Sequence, residues 1–562
     1  MKHCQKKISS ILLLIIVSIS ALTAQVQDIS FNVQSHFQPV IKSSNKISDN
    51  PEIADTIKKI SVFNYSITSY PLYKKYQLSP LTFAKYKEKY VWNASQSFIK
   101  AGYGFMYNMP LLEIYLGSKN DKNIRYGIYY NLLASDRQLQ NVGYSGFTDH
   151  LASAFAEKYI EKHFLKFNID YSNNKLYNYG FDTSLNKITD KNFYRQQYYY
   201  WSPSVRIKSN YTDSSKLHHD IALSYYNLQN YQDARENNIS LNTTLNKYIN
   251  RENFFINLSY NFYNHKLSSD TLQNHIFTIS PYFLSKNENI EIKVGIKTTL
   301  DALYTGKFYF YPIFFGNYNL YKHIIEVFAG VDGGLYKNSI KSLSDENPFI
   351  VTTFYSSANR KQIHLTNSNQ SINIYAGFKG RLSSQTDYII QGNYQRWDSL
   401  YFFNPYFDKY TTLNNQYNIE YDNTSLYSLN AQLRYDANAN IKISASGTYY
   451  YYQTKNLAKP YHKPLYKAQL TAEYLLNENF KFKLDGFLLG ERWAKDFLYQ
   501  LNVQNKLLPA VPDFNFTAEY KRNKKFSVFA SFNNIANIRY YRWYNYPSQR
   551  FNLFLGFTYI PF

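Results

Sequence analysis

The sequence predicts an all-β chain: a transmembrane antiparallel β-barrel of about 22 strands (range 18–24) behind a short N-terminal periplasmic segment. Three observations predict it. Apolar and polar residues alternate along many segments, as in strands whose two faces meet different surroundings. Aromatic residues make up 19% of the 562-residue chain, with 60 Tyr and 41 Phe. A soluble core has little use for so many, whereas a membrane barrel sets Tyr with its ring in the apolar band and its hydroxyl at the headgroups. Finally, no window after the leader holds the ~18 apolar residues of a membrane helix, so a spanning chain must cross with strands.

The last twelve residues carry the pattern most plainly. Phe551, Leu553, Leu555, Phe557 and Tyr559 alternate with Asn552, Phe554, Gly556 and Thr558, and the chain ends on Phe562. One face is apolar throughout and the other mixed. Such a strand closes an outer-membrane barrel, or edges a soluble sandwich. The wider pattern decides between them. Apolar faces start or end in Tyr or Phe, while Lys, Glu, Arg and Asp sit near mid-strand on the opposite faces, as in a wet lumen.

Residues 1–24 read as a signal peptide: Lys2, Lys6 and Lys7 form a basic start, Ile11 to Val17 an apolar run, and Ala24 the cut. Cys4, the only cysteine, lies inside it. The exported chain would hold no thiol, which excludes disulfides, thiolate metal sites and cysteine nucleophiles. The formal charge is +22, three of these being leader lysines. For an exported chain that balance points to lipopolysaccharide phosphates, anionic headgroups or anionic solutes rather than nucleic acid.

Residues 25–95 contain Pro39, Pro51, Pro71 and Pro80, so they do not form central sheet. They read as an extended periplasmic or lumen-entering segment, or a linker. The barrel is assigned to 96–562. From Phe98 the period of two recurs to the end. Tyr126, Ile128, Tyr130 and Leu132 form one apolar face; Leu165, Phe167, Ile169 and Tyr171 another; then Phe254 to Phe262, Ile290 to Ile296, Leu429 to Tyr435 and Tyr466 to Tyr474. Only 152–162 reads equally as helix. Connections alternate in length. Tight polar links at 436–440, 475–479 and 521–525 separate longer ones at 452–463, 490–508 and 536–549, as short periplasmic turns and long outer loops require. The longest irregular stretch, 337–371, is a large outer loop or an inward-folded one.

The C-terminal part resembles TonB-dependent outer-membrane receptors of the Bacteroidota style. The residues that carry this are Leu484-Asp485-Gly486-Phe487-Leu488-Leu489-Gly490 with Arg492, Leu508-Pro509-Ala510-Val511-Pro512-Asp513, and Asn533-Asn534-Ile535-Ala536-Asn537 before Arg539-Tyr540-Tyr541 and Trp543. The resemblance implies the barrel. It does not imply energised uptake: about 70 residues lie between the leader and the first strand, too few for the family's globular plug, and no TonB box is recognisable. Ile560 and Pro561 also depart from the family's ending, which is read by the barrel assembly machinery.

No catalytic, cofactor or metal residues emerge. His218 and His219 point to opposite faces of one strand; His150 beside Asp149, and His323 with His364, form no set either. Ser344-Asp345-Glu346-Asn347 reads as a solvated tip rather than a calcium loop. Lys293, Lys297, Arg434, Lys442 and Lys467 wet a lumen, balanced by Glu291 and Glu473. The expected role is a pore, transport or scaffold protein of the outer membrane, with lipid and lipopolysaccharide as its surroundings. A non-transporting subunit bound to an envelope protein partner is the alternative, and an outer-membrane hydrolase a minor one.

Overall fold

The computed structural model describes residues 97–561, except 119–123, 185–189, 355–360, 407–414, 499–501 and a few shorter gaps. The leader and the 25–95 segment lie outside the described residues.

Twenty-two strands form one antiparallel sheet. The first thirteen are β1 (Phe98–Gly104), β2 (Met109–Gly117), β3 (Ile124–Ser135), β4 (Phe147–Ile160), β5 (His163–Tyr177), β6 (Arg195–Ser209), β7 (His218–Asn230), β8 (Arg235–Ile249), β9 (Glu252–Leu267), β10 (Asp270–Lys286), β11 (Ile290–Asp301), β12 (Lys307–Tyr321) and β13 (Ile325–Tyr336). After a long loop come β14 (Ser368–Ser383), β15 (Thr386–Tyr406), β16 (Gln416–Asp436), β17 (Ile441–Thr454), β18 (Tyr466–Leu475), β19 (Phe480–Leu489), β20 (Val511–Lys521), β21 (Phe526–Asn533) and β22 (Asn552–Tyr559). Each pairs with its chain neighbours. β22 then pairs with β1, from Ile99 opposite Tyr559 to Gly104 opposite Phe554, and the sheet closes.

Closure leaves no free edge, and the alternation sorts the faces. Tyr126, Ile128, Val294, Phe378, Leu429 and Leu555 lie outside and exposed. Their strand neighbours turn inward. On β22 the outward set Leu555, Phe557 and Tyr559 opposes Phe554, which packs inside against Phe529 and Met109. A water-facing exterior of this kind would be unfavourable by ~25 cal/mol per Å² of apolar surface, whereas lipid removes that cost. The window 152–162 resolves to strand: β4 continues to Ile160 and turns at Glu161, whose φ is 43°.

One rim carries the short links 161–162, 322–324, 384–385, 437–440, 476–479 and 522–525, together with the start of β1 and the end of β22. The other rim carries 136–146, 178–194, 337–367, 490–510 and 534–551. This is the predicted alternation. β15 and β16, at 21 residues each, rise furthest toward the long-loop rim.

Candidate functional site

The stretch 337–352 of the long loop folds inward. Ser339 ends the extended chain and caps a helix, α1 (Ile340–Glu346): its hydroxyl accepts the Ser342 N–H, while the Ser342 hydroxyl accepts the Ser339 N–H. Ile340 and Leu343, three apart, share the buried face. Asn347 ends the helix, and Pro348 starts an extended run. Phe349 O accepts the Tyr417 N–H at 3.0 Å, and Val351 N donates to Tyr417 O at 2.8 Å.

The opposite wall grips the same loop. Glu236 on β8 is fully buried and accepts the N–H groups of Ile340 at 2.6 Å and Lys341 at 3.3 Å. Its other partners are the Tyr226 hydroxyl at 2.6 Å and His265 Nδ1 at 2.8 Å. Asn230 Nδ2 donates to Thr352 Oγ1 at 2.6 Å, and the Tyr198 hydroxyl donates to Pro348 O at 3.0 Å. β6 and β16 are ten steps apart one way around the sheet and twelve the other, so a segment bonded to both walls crosses the lumen.

Three further loops complete a cap. In 534–551 a small hairpin turns at Asn545, whose φ of 68° suits a left-handed position. It lays Tyr546 on Phe349, ring centroids 3.7 Å apart at 22°. Tyr179 meets the same ring edge-on at 4.9 Å and donates to Pro547 O. Trp543 packs against Phe403 and Tyr417, and Tyr417 donates to Tyr544 O at 2.6 Å. A second hairpin, Arg492–Leu498 with Asn502–Leu508, presents Arg492 Nη2 to Tyr541 O at 2.9 Å. From 455–465, His462 N donates to Trp493 O, and its ring sits between Tyr417 and Trp543. The result is one aromatic-rich core, inside the barrel end, shared by loops and walls.

Burial in this cap shifts several loop groups. It pushes His462 down to about 3, with Arg492 and Lys463 adding repulsion, so the ring is neutral. Lys337 is pushed down to about 8 by burial, against the pull of Glu236 and Asp301. Arg492 falls to about 10 from burial and the neighbouring Arg542. Lys463 is also lowered by burial, while its ion pair with Glu346 at 3.2 Å works the other way. Between cap and the β4–β7 wall lies a cavity of about 400 Å³, lined by Tyr177, Tyr179, Tyr198, Tyr200, Asp149 and Lys341 among others. Rings beside hydroxyl, amide and charged groups suit a polar solute with flat faces.

The histidines of the sequence do not assemble. His218 approaches Asp213 O, while the His219 ring lies 5.3 Å from His163. His150 Nδ1 meets the Tyr130 hydroxyl at 3.0 Å. His323 binds Glu326 at the short-link rim, and His364 lies in the long loop at the other end. Among the described residues no group of three His, Cys, Asp or Glu is placed to hold a metal. The lumen charges stay dispersed: Lys297 donates to Gly333 O, Glu291 pairs with Lys286, Arg434 with Asp436 and Glu473 with Lys481. One expectation is corrected. Ser344–Asn347 is not a solvated tip, because Ser344 and Asn347 are buried by the inward fold of α1, and only Asp345 reaches out. Sequence reasoning missed Glu236 and His265, which look like ordinary lumen residues in their alternation.

No family model and no curated protein matches the chain. Solved structures do. The pyoverdine outer membrane receptor FpvA of Pseudomonas aeruginosa superposes with a TM-score of 0.61 at 11% identity, over 83% of this chain and 78% of that one. The FrpB iron transporter of Neisseria meningitidis gives 0.64 at 11% identity, over 83% and 81%. The ferric enterobactin receptor PfeA of Pseudomonas aeruginosa gives 0.61 at 10% identity, over 83% and 80%. The chain shares their barrel fold. At such identity the likeness carries the architecture, and no binding residue transfers from it.

Proposed function

We propose that this protein is an outer-membrane transport barrel whose outer mouth is closed by its own loops. The observation that carries this is the 337–367 loop, bonded to Glu236 on one wall and Tyr417 on the other. A closed cylinder with an apolar exterior belongs in lipid, and the receptors and transporter that share the fold are outer-membrane or iron-transport proteins by name. The short-link rim, with both barrel ends, faces the periplasm, and the cap faces outward. A barrel of 22 strands is too wide for wall side chains alone to fill. Here loops supply the constriction. The cavity beneath them is the first station for a solute.

The test is conductance of the full chain in planar bilayers. The intact protein is expected to be closed or to flicker at low conductance. Replacing 339–352 by a Gly/Ser linker is expected to give large, steady openings. Silence from both proteins would reject transport and favour a non-transporting subunit of an envelope complex.

A further inference from the structure

We propose that a second site, at the long-loop rim above the β1/β22 seam, binds a phosphoryl or similarly multivalent oxyanion. It shares the 534–551 loop with the cap but is a different cavity from the one beneath the cap, and it holds whether or not the barrel conducts. Three loops meet there: 105–108, 136–146 and 534–551. They enclose a cavity of about 460 Å³, roughly the volume share of fifteen waters. Three of its lining residues are arginines, Arg137, Arg539 and Arg550, and none is acidic.

The loops are built to hold these side chains. Arg137 Nη1 donates to Met106 O at 2.6 Å, and Arg539 Nη2 donates to Gln140 O at 2.9 Å. Each bond fixes a guanidinium between two loops and leaves its other N–H groups available. The Arg550 backbone N–H donates to the Tyr107 hydroxyl at 2.8 Å, which orients its segment. Among the described residues the Arg550 side chain has no hydrogen bond or ion pair. The nearest acid in sequence, Asp136, is taken by the Tyr144 hydroxyl. Three like charges around one cavity repel, and no carboxylate of the lining offsets them. An oxyanion does. Guanidinium forks match the paired oxygens of phosphate and carboxylate, and arginine keeps its charge at any working pH. Two sources offer such groups at an outer rim: the phosphates of lipopolysaccharide, and a phosphorylated solute in the medium.

The experiment uses the full chain in neutral detergent at low salt. Pyrophosphate binding is measured by calorimetry, and in parallel binding to micelles doped with lipid A. R550Q is the primary variant because its side chain holds no other element; R539Q is the second. Each lost guanidinium is expected to weaken binding about tenfold. R550K is expected to recover only part, and added salt to weaken binding further. K467Q, inside the lumen, is expected to bind as the parent does. Pyrophosphate binding that R550Q weakens supports a soluble ligand. Lipid A binding alone, equally sensitive to R550Q, supports the headgroup. Absence of both, or binding that ignores R550Q and R539Q, overturns the site.

Discussion

Glu236, on the barrel wall, accepts the backbone N–H of Ile340, 104 residues later in the chain, at 2.6 Å. That bond pins α1 across the lumen, and a second one to Lys341 supports it. E236A would leave the buried Ile340 amide unmatched, at about 1–3 kcal/mol, and the half-buried Lys341 amide without its acceptor. The expected outcome is more frequent opening in bilayer recordings and faster protease cleavage within 339–352. E236Q, which keeps an accepting oxygen, is expected to fall between. Unchanged gating in E236A would show that the loop is held elsewhere.

The stack of Phe349 on Tyr546 joins two loops that lie far apart in sequence. Both rings are buried. Either truncation to Ala is expected to cost about 3–5 kcal/mol of packing. A double-mutant cycle should show a coupling of about 0.5–1.5 kcal/mol, the worth of an aromatic pair beyond its area. Thermal unfolding in detergent measures it. Strict additivity would mean the two loops close independently.

Legibility in the sequence tracked the range of the interactions. β11 is plain because Ile290, Ile292, Val294 and Ile296 form the outer face and Glu291 and Lys293 the inner one, a contrast that β5 and β16 repeat with Leu165 to Tyr171 and Leu429 to Tyr435. The alternation of short and long links followed from the same marks. The cap was not legible. Glu236 shows the same period as Asn238 or Ser240, and only the arrival of α1 makes its carboxylate special. Ser344-Asp345-Glu346-Asn347 is polar enough for a tip, yet Ile340 and Leu343 pull it into the lumen. The Arg137, Arg539 and Arg550 cavity joins opposite ends of the chain, so no local pattern announces it.

Closure of the cylinder depends on glycine at the seam. A Cβ on Gly556 would stand 2.3 Å from the Ala101 carbonyl oxygen and 2.5 Å from the Phe529 ring. A Cβ on Gly102 would meet that ring at 3.0 Å and the Leu555 oxygen at 3.2 Å. The Phe529 ring thus lies over two residues without side chains, an aromatic covering glycine. G556V is expected to block pairing of β22 with β1 and to abolish the heat-modifiable, fast-migrating form on gels. F529A should not rescue it, because the backbone oxygen remains. G102A, facing tolerances near 3 Å, is expected to assemble at reduced yield. Normal assembly of G556V would disprove this account of the seam.

The cap should also respond to pH from both ends. With the cap closed, burial holds His462 near 3, whereas a solvated imidazole titrates near 6.5. Between these values the open cap binds a proton that the closed one refuses. Closure therefore weakens as pH falls from about 6.5, by at most ~1.4 kcal/mol per pH unit, and levels off near 3. Lys337 acts at the alkaline end. Burial lowers it to about 8 when closed, against ~10.4 in water, so between these values the open cap again holds the extra proton. There, rising pH strengthens closure. Conductance against pH should rise into acid and decline from pH ~8 upward. H462F should flatten the acid limb alone, and K337M the alkaline limb alone. An acid limb that survives H462F would mean that opening is governed by carboxylates rather than by this ring.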